Sequence, residues 1–239
     1  MPIFPLEDDP EFADLFPPVG LAEENGLLAI GGDLTPKRLI AAYRQGIFPW
    51  FSQDEPLLWW SPDPRLILRP EKLHLSRSLK KTLRRETYRI TYDHAFEQVI
   101  TACAETPRGD NNGTWIVPEM VEAYCQLQAM GYAHSAEAWR MGIDGSKELV
   151  GGAYGVAIGG AFFGESMFYL APDASKVAFA SLVQRLNDHG FTLIDCQMDT
   201  DHLRRFGAEL VTRETFLGQL KTALSIPVEQ LSWRQDGAI

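Results

Sequence analysis

The sequence predicts an α+β fold, and two observations lead to this prediction. Some segments have apolar residues at helical spacing. Between them lie short segments in which apolar and polar residues alternate, or which are mostly apolar, and both patterns are typical of β-strands. Three strand-like segments follow one another between residues 133 and 168, with Gly159 and Gly160 at the last turn. A glycine pair between two such runs is typical of an antiparallel hairpin, so these segments are expected to form a meander.

Pro62 and Pro64 divide the chain into a small N-terminal α/β domain, residues 1–64, and a larger domain, residues 65–239. Two prolines this close together restrict the backbone and favour a boundary. Within the first part, residues 36–43 are predicted to form a short helix, because a threonine precedes them as a cap and a proline occupies the first helical position.

The elements of the larger domain follow from the same patterns. Strands are predicted over residues 88–92, 133–141, 148–157, 161–168, 191–197 and 208–211, and helices over 94–105, 118–130, 174–189, 200–206 and 214–224. This order resembles the acetyltransferase fold called GNAT, in which two central parallel strands splay apart and open a cleft. Residues 161–168 and 191–197 would form that pair, because a helix lies between them, as a parallel connection requires.

The net charge of −10, from 22 Lys and Arg against 32 Asp and Glu, argues against a protein that grips nucleic acid over its whole surface. One stretch departs from this balance. With Ser76 as a helix cap, five basic side chains follow the i, i+3, i+4, i+7, i+8 spacing of a single stripe: Arg77, Lys80, Lys81, Arg84 and Arg85. Such a stripe is either a solvated face or, on an acidic protein, a surface that binds phosphates.

The three cysteines, Cys103, Cys125 and Cys196, are far apart and lack CxxC spacing, which indicates reduced thiols rather than a disulfide framework or a zinc site. The five histidines show no metal-ligand spacing, so no metal site is expected. The first residues are acidic and broken by proline, unlike a signal peptide, and no apolar run reaches the ~18–20 residues that span a bilayer. We expect a cytoplasmic monomer that does not bind membranes.

Three of the six tryptophans, Trp50, Trp59 and Trp60, are grouped in one short stretch beside Phe48 and Phe51. Prolines punctuate this stretch and hold the rings in irregular structure. Rigid rings on a stiff loop form either a packing cluster between domains or a platform for a nucleobase or an apolar side chain.

These aromatic residues belong to a longer series of motifs. The series contains GGDL at 31–34, AYRQGIFPWF at 42–51, LWWSPDPR at 58–65, GTWI at 113–116, GESMF at 164–168, ASK at 174–176, LIDCQ at 193–197 and HL…GA at 202–208. In this order the motifs resemble the leucyl/phenylalanyl-tRNA–protein transferase family over nearly the whole chain. The resemblance implies transfer of Leu, Phe or Met from aminoacyl-tRNA to a protein whose N-terminus is Arg or Lys, which tags that protein for degradation. The tRNA acceptor stem would then be the polyanion that the basic stripe binds.

Asp195 and Gln197 are two residues apart on a predicted central strand, so their side chains are expected on one side, with Ile194 and Cys196 on the other. An acid and an amide at such a strand end either form part of a site or cap a loop. The resemblance implies that they are the catalytic pair. For the cation of the acceptor's Arg or Lys side chain, Glu165 is the first candidate and Asp195 the second, with a structural salt bridge as the alternative for Glu165.

The implied chemistry needs no ATP, CoA or other cofactor, because an aminoacyl ester is already activated. Gln197 would orient the acceptor's α-amine, while Asp195 polarises Gln197 or accepts a proton. The terminal ribose hydroxyl of the tRNA is another route for that proton. No acyl-enzyme is expected, because Cys196 is predicted to face away from the pair.

The resemblance also implies a donor pocket formed by Trp50, Trp115, Tyr124 and Phe162, with the two tryptophans against the terminal adenosine. For Tyr124, on a predicted helix, core packing and pocket lining stay equally open. The main rival function is a CoA-dependent GNAT N-acetyltransferase, which needs a glycine-rich pyrophosphate loop where this chain has FYLAPDASK. The others are an aminoacyl-tRNA-dependent cell-wall peptide transferase and a non-catalytic RNA-binding module.

Overall fold

A computed structural model describes residues 3–106, 116–227 and 233–234 of the chain. These residues form two β-sheets with α-helices against them, so the predicted α+β class is confirmed. Within this described part, every helix is too short or too polar to cross a lipid bilayer.

The strands, in chain order, share the two sheets between them. They are β1 (Phe4–Leu6), β2 (Leu27–Gly31), β3 (Phe48–Pro49), β4 (Leu58–Trp60), β5 (Arg65–Leu68), β6 (Arg89–Tyr92), β7 (Ala133–Met141), β8 (Lys147–Ile158), β9 (Ala161–Tyr169), β10 (Leu193–Gln197) and β11 (Glu209–Val211).

The α-helices start where the sequence signals predicted, within a few residues. They are α1 (Pro36–Arg44), α2 (Arg77–Arg84), α3 (Phe96–Glu105), α4 (Pro118–Ala129), α5 (Ala174–Asp188), α6 (Asp201–Arg204) and α7 (Arg213–Leu224). Four of them follow a Ser or Thr whose hydroxyl accepts a hydrogen bond from a backbone N–H of the first turn: Thr35, Ser76, Thr200 and Thr212. These bonds satisfy donors that a helix start leaves unpaired, which explains why the helices begin at these positions.

The N-terminal sheet has the strand order β1-β2-β4-β3, and the larger sheet has the order β11-β5-β10-β9-β8-β7-β6. Neighbouring strands of the larger sheet are antiparallel except β9 and β10, which are parallel and joined through α5. Their pairing covers only three residues and ends at Asp195 and Phe163. β9 continues to Tyr169 without β10 beside it, so the sheet opens at this point.

Strand β5 was not predicted, although it lies between β11 and β10 near the middle of the sheet. All four of its residues, RLIL, are buried, so the strand shows no alternation of apolar and polar side chains. It also follows directly after the prolines that were interpreted as a boundary.

The larger sheet separates two apolar cores. Helices α2 and α5 pack on one face, with Leu79 anchoring α2. Helices α3, α4 and α7 pack on the other face, in a core that also contains Phe48 and Trp59 from the N-terminal part. The N-terminal sheet and the larger sheet therefore share one apolar core. This packing places Phe48, Pro49 and Trp50 at the opening between β9 and β10.

Candidate active site

A cleft of about 980 Å³ lies where β9 and β10 part. Its walls come from both strands, from Phe179 and Leu182 of α5, and from the start of α4. Further walls come from β8, from residues 198–203, and from the N-terminal part with Phe48, Pro49 and Trp50. The cleft is therefore built from segments far apart in sequence, and the opening of the sheet is what makes room for it.

The end of β10 does not keep the alternation that the sequence predicts. The register with β5 slips between Asp195 and Gln197, and Gln197 has a φ of 60°, in the left-handed region. Ile194, Cys196 and Gln197 consequently line the cleft, whereas Asp195 is fully buried and lies outside its wall. Ile194 and Cys196 pack in the apolar core beside α5, as predicted, and both also line the cleft.

The thiol of Cys196 is nevertheless a poor nucleophile. Burial raises its pKa, and the nearby carboxylate of Asp195 raises it further. A thiol that stays protonated attacks an ester slowly, because the thiolate is the reactive form.

Asp195 is held by Arg65 of β5 in a two-point ion pair. Arg65 Nε donates to Asp195 Oδ1 at 2.8 Å and Nη2 donates to Oδ2 at 2.7 Å, and both side chains are buried. The rings of Phe48 and Phe216 each lie 4.7 Å from the guanidinium carbon. The backbone N–H of Gln197 donates to Asp195 Oδ1 at 2.9 Å, so this pair holds the turn that presents Gln197.

Glu165 of β9 accepts three hydrogen bonds. Tyr43 Oη donates to its Oε1 at 2.7 Å, Tyr124 Oη donates to its Oε2 at 3.0 Å, and Gln197 Nε2 donates to its Oε1 at 2.8 Å. The two tyrosine hydroxyls also contact each other. Burial raises the pKa of Glu165 to about 7, because the three hydrogen bonds only partly offset the loss of solvation.

Gln197 is the point at which this buried network reaches the cleft. Its amide nitrogen is engaged by Glu165, and no side chain in the described part of the chain donates to its carbonyl oxygen. Since an amide oxygen can only accept, the orientation that satisfies Glu165 leaves an acceptor available to a bound N–H group.

The structure separates the aromatic residues that the sequence singled out. Trp50 is 37% exposed at the cleft and lies 5.5 Å from Trp60, whose indole donates to the Trp50 carbonyl. Phe162 is buried in the cleft wall. Tyr124 is fully buried and reaches Glu165 from behind the wall rather than lining it. Trp115 lies outside the described residues.

Helix α2 carries the basic stripe on the outside of the molecule. Ser76 caps it as predicted, and Arg85 is the C-cap residue that follows its last turn. The five basic side chains of the helix and its C-cap are all exposed: Arg77, Lys80, Lys81, Arg84 and Arg85. None of the five forms an ion pair with the residues that the structure describes. The helix packs against α5, which also lines the cleft.

Two residues of this network were missed by the sequence reasoning. Arg65 closes the LWWSPDPR motif, and Tyr43 lies in AYRQGIFPWF, but neither was given a role in the site. Their presence inside motifs with rare residues was the available signal. Nothing local shows that they reach Asp195 and Glu165, which are 130 and 122 residues away.

Comparison with known proteins identifies the family. A family model described as "Leucyl/phenylalanyl-tRNA protein transferase" matches residues 67–221, and the model of its N-terminal domain matches residues 32–63. This chain belongs to the leucyl/phenylalanyl-tRNA protein transferase family. Membership makes it an enzyme of the transferase class.

Relatives that carry the family name match this chain over almost their whole length. The transferase of Myxococcus xanthus is 53% identical over 238 residues, which is 100% of this chain and 99% of the relative. That of Anaeromyxobacter dehalogenans is 56% identical over 238 residues, 100% of this chain and 98% of the relative. The solved structure of L-PGS from Bacillus licheniformis aligns with 72% of this chain and with 53% of the L-PGS chain, at 12% sequence identity and a TM-score of 0.40. That likeness is too low to support an argument.

Proposed function

We propose that this family member transfers Leu, Phe or Met from aminoacyl-tRNA to the N-terminal Arg or Lys of an acceptor protein, marking that protein for degradation. Family membership supports the reaction. Within the structure, one observation carries the proposal: Gln197 lies in the wall of a largely apolar cleft with its amide nitrogen fixed by Glu165, and no described residue donates to its carbonyl oxygen.

The donor fits the apolar part of the cleft. Phe162, Phe179 and Leu182 would surround the Leu, Phe or Met side chain, which such a pocket selects mainly by size. Trp50, exposed at the mouth, would stack on the terminal adenosine, and we assign Trp115 to the same base. Tyr124 would act from behind the wall by holding Glu165.

The acceptor's neutral α-amine would attack the ester carbonyl while one of its N–H groups donates to Gln197 Oε1. The new bond joins nitrogen to the carbonyl carbon, and the ester C–O bond breaks. The terminal ribose oxygen leaves with a proton, which the amine loses directly to it or through Glu165. Much of the rate would come from holding amine and ester together, and no acyl-enzyme is formed.

Within this mechanism Gln197 is the catalytic residue and Asp195 positions it. Both oxygens of Asp195 already accept from Arg65, and Oδ1 also accepts from the backbone of Gln197. This occupancy favours a role in holding Gln197 over a role in accepting a proton.

We assign the acceptor's side-chain cation to Glu165 rather than to Asp195, because Glu165 lies in the cleft wall while Asp195 is paired in the interior. A nearby cation favours the ionised form of a carboxyl, so acceptor binding would lower the pKa of Glu165. With Glu165→Gln, the preference for N-terminal Arg or Lys over neutral residues should shrink.

For the body of the tRNA we assign the five cations of α2, which are exposed and lie on a helix beside the cleft-lining α5. We further propose a GNAT-like domain over residues 65–239, supported by the single parallel pair that parts over a cleft. Residues 1–64 would form a second domain that completes the donor pocket through Trp50.

The decisive experiment incubates the purified protein with radiolabelled Leu-tRNA and a peptide that begins with Arg or Lys, without CoA. The expected product is the peptide extended by an N-terminal Leu. The same peptide with an acetylated N-terminus is the control, since it has no free amine. Absence of product from the free peptide, or a requirement for acetyl-CoA, would contradict the proposal.

A further inference from the structure

Trp233 lies behind the cleft and outside both stretches that the family models match, the last of which ends at residue 221. It is buried and stacks on His134 of β7, with ring centroids 3.9 Å apart and planes 8° from parallel. Both nitrogens of His134 are engaged, Nδ1 with Asp93 Oδ2 at 2.7 Å and Nε2 with the Gly131 carbonyl oxygen at 3.1 Å. Trp233 therefore packs on a ring that is held at two points.

Trp233 also contacts a residue of the cleft wall. Its ring centroid lies 6.3 Å from that of Phe162, within the range of interacting aromatic pairs. Phe162 lines the cleft, and its ring lies close over Gly155 of β8, where an added Cβ would be 2.6 Å from it. Gly155 is the partner of His134 in the sheet. The backbone of β8 and the ring of Trp233 thus limit where Phe162 can lie.

This arrangement has a consequence for the volume of the cleft. Protein interiors are close-packed, so a side chain next to a lost ring moves partly into the space that the ring occupied. Without Trp233, the ring of Phe162 is free to withdraw from the cleft. The part of the cleft beside Phe162, here called the slot, then becomes wider, although no residue that lines the cleft has been substituted.

We propose that Trp233 is a positioning residue that determines donor selectivity: it holds Phe162 in the cleft wall and so fixes the width of the slot for the donor side chain. The inference rests on the proposed function, in which this cleft receives the Leu, Phe or Met side chain. A wider slot loses contacts with Leu, whereas Phe is large enough to fill it.

The test compares kcat/KM for Leu-tRNA and Phe-tRNA in wild type and Trp233→Ala, with a peptide that begins with Arg as acceptor. We expect the ratio of the two values to shift toward Phe by about tenfold, the discrimination that roughly one methylene group provides in an apolar pocket. Trp139→Ala is the matched control. Trp139 is a buried tryptophan of β7 itself. Its indole N–H donates to Thr91 Oγ1, and it does not line the cleft.

Thermal unfolding of each variant separates selectivity from stability, since a merely structural role would lower the melting temperature without moving the ratio. Trp233→Phe keeps a ring on His134 and should restore most of the wild-type ratio. If Trp233→Ala does not fold, Trp233→Leu takes its place, because it keeps apolar volume but loses the stack.

A ratio that stays within about twofold of wild type in the folded Trp233→Ala or Trp233→Leu variant would overturn the inference. A wild-type protein that transfers neither Leu nor Phe would instead contradict the proposed function. The two failures are therefore distinguishable.

Discussion

Charged side chains at the opening between β9 and β10 differ from those along α2 in what surrounds them. Arg65, Asp195 and Glu165 are buried and hold fixed partners at hydrogen-bond distance. The five cations of α2 are exposed and have no ion-pair partner in the described part of the chain. The buried charges therefore fix the positions of their neighbours, whereas the exposed charges leave their neighbours unconstrained.

The difference has a physical basis. A buried charge loses its hydration and is tolerated only when partners replace the water, so it defines one arrangement of its neighbours. An exposed charge keeps its hydration and interacts through a screened field, so its position matters less than its sign. Substitutions in the two regions should therefore differ in magnitude, in salt dependence and in which step of the reaction they change.

The largest effect is expected from Asp195→Ala. It leaves the Arg65 guanidinium buried without its partner, which should cost about 3–5 kcal/mol of unfolding free energy. Turnover should be lost while charged-tRNA binding stays nearly intact. Denaturant unfolding, filter binding and transfer assays measure the three quantities.

An exposed ion pair provides the control for Asp195→Ala. Arg140 and Glu148 are paired at the surface, and Arg140→Ala should change the unfolding free energy by about 1 kcal/mol or less. The double variant Arg65→Met with Asp195→Leu should recover stability without recovering turnover. Equal loss of turnover and of tRNA binding in Asp195→Ala would contradict a positioning role.

Gln197→Ala removes the acceptor oxygen in the cleft and one of the three donors to the buried Glu165. We expect transfer to slow by about a hundredfold or more, the typical loss when reacting groups are misplaced. Single-turnover transfer at saturating Leu-tRNA measures this. The unfolding free energy should fall by about 1–3 kcal/mol, because Glu165 loses a buried hydrogen bond. Cys196→Ala, in the same wall, should stay active, and similar losses in both variants would argue against a specific role for Gln197.

The exposed region should respond to charge and salt. Reversing Arg77 and Arg84 to Glu should weaken tRNA binding and reduce the slope of log affinity against log salt concentration by roughly 1.4 to 1.8, for two phosphate contacts. Transfer from a short aminoacyl-adenosine analogue should be unaffected. Lys221→Glu on α7 is the control for Arg77→Glu and Arg84→Glu made singly. If it weakens tRNA binding as much as they do, net charge and not the position of the cation determines the affinity.

The smallest effect concerns pH and Glu165, whose pKa burial raises to about 7. Glu165 is ionised above that pH and can then only accept from Gln197, so transfer should rise through pH 7 in addition to the titration of the amine. Glu165→Gln should abolish this rise. A pH–rate profile that is identical in the variant would contradict the assignment.

The same group links stability to pH. The folded protein retains a proton on Glu165 that the unfolded chain releases near the ordinary value of 4.5. The stabilisation is complete below pH 4.5 and is lost as the pH rises through about 7. Unfolding free energy should therefore fall across this window in wild type and fall less in Glu165→Gln.

Much of the fold could be predicted because its signals are local. The caps of α1 and α2, the hairpin of β8 and β9 and the helix between β9 and β10 all follow from residues within a few positions of one another. Strand β5 could not be predicted, because its four residues are all buried and show no alternation of apolar and polar side chains.

The site was predicted less completely than the fold. Resemblance singled out Asp195, Gln197 and Phe162, and the cation of the implied acceptor singled out Glu165; the structure gathers the four residues around one opening. The bulge that places Gln197 in the cleft wall and leaves Asp195 behind it was not predicted, because it depends on the pairing of β10 with β5. The role of Tyr43 was not predicted, since local spacing shows which face of a helix a ring occupies and not what its hydroxyl reaches.

The sequence by itself determined the α+β class, the family motifs and the cation stripe of α2, because periodicity, capping and charge are properties of neighbouring residues. Only the tertiary structure decided that Arg65 pairs with Asp195, that Glu165 accepts from Gln197 and that Trp233 contacts Phe162. Those contacts join residues far apart in the chain, and their energies depend on burial, which exists only once the sheet and its helices have packed.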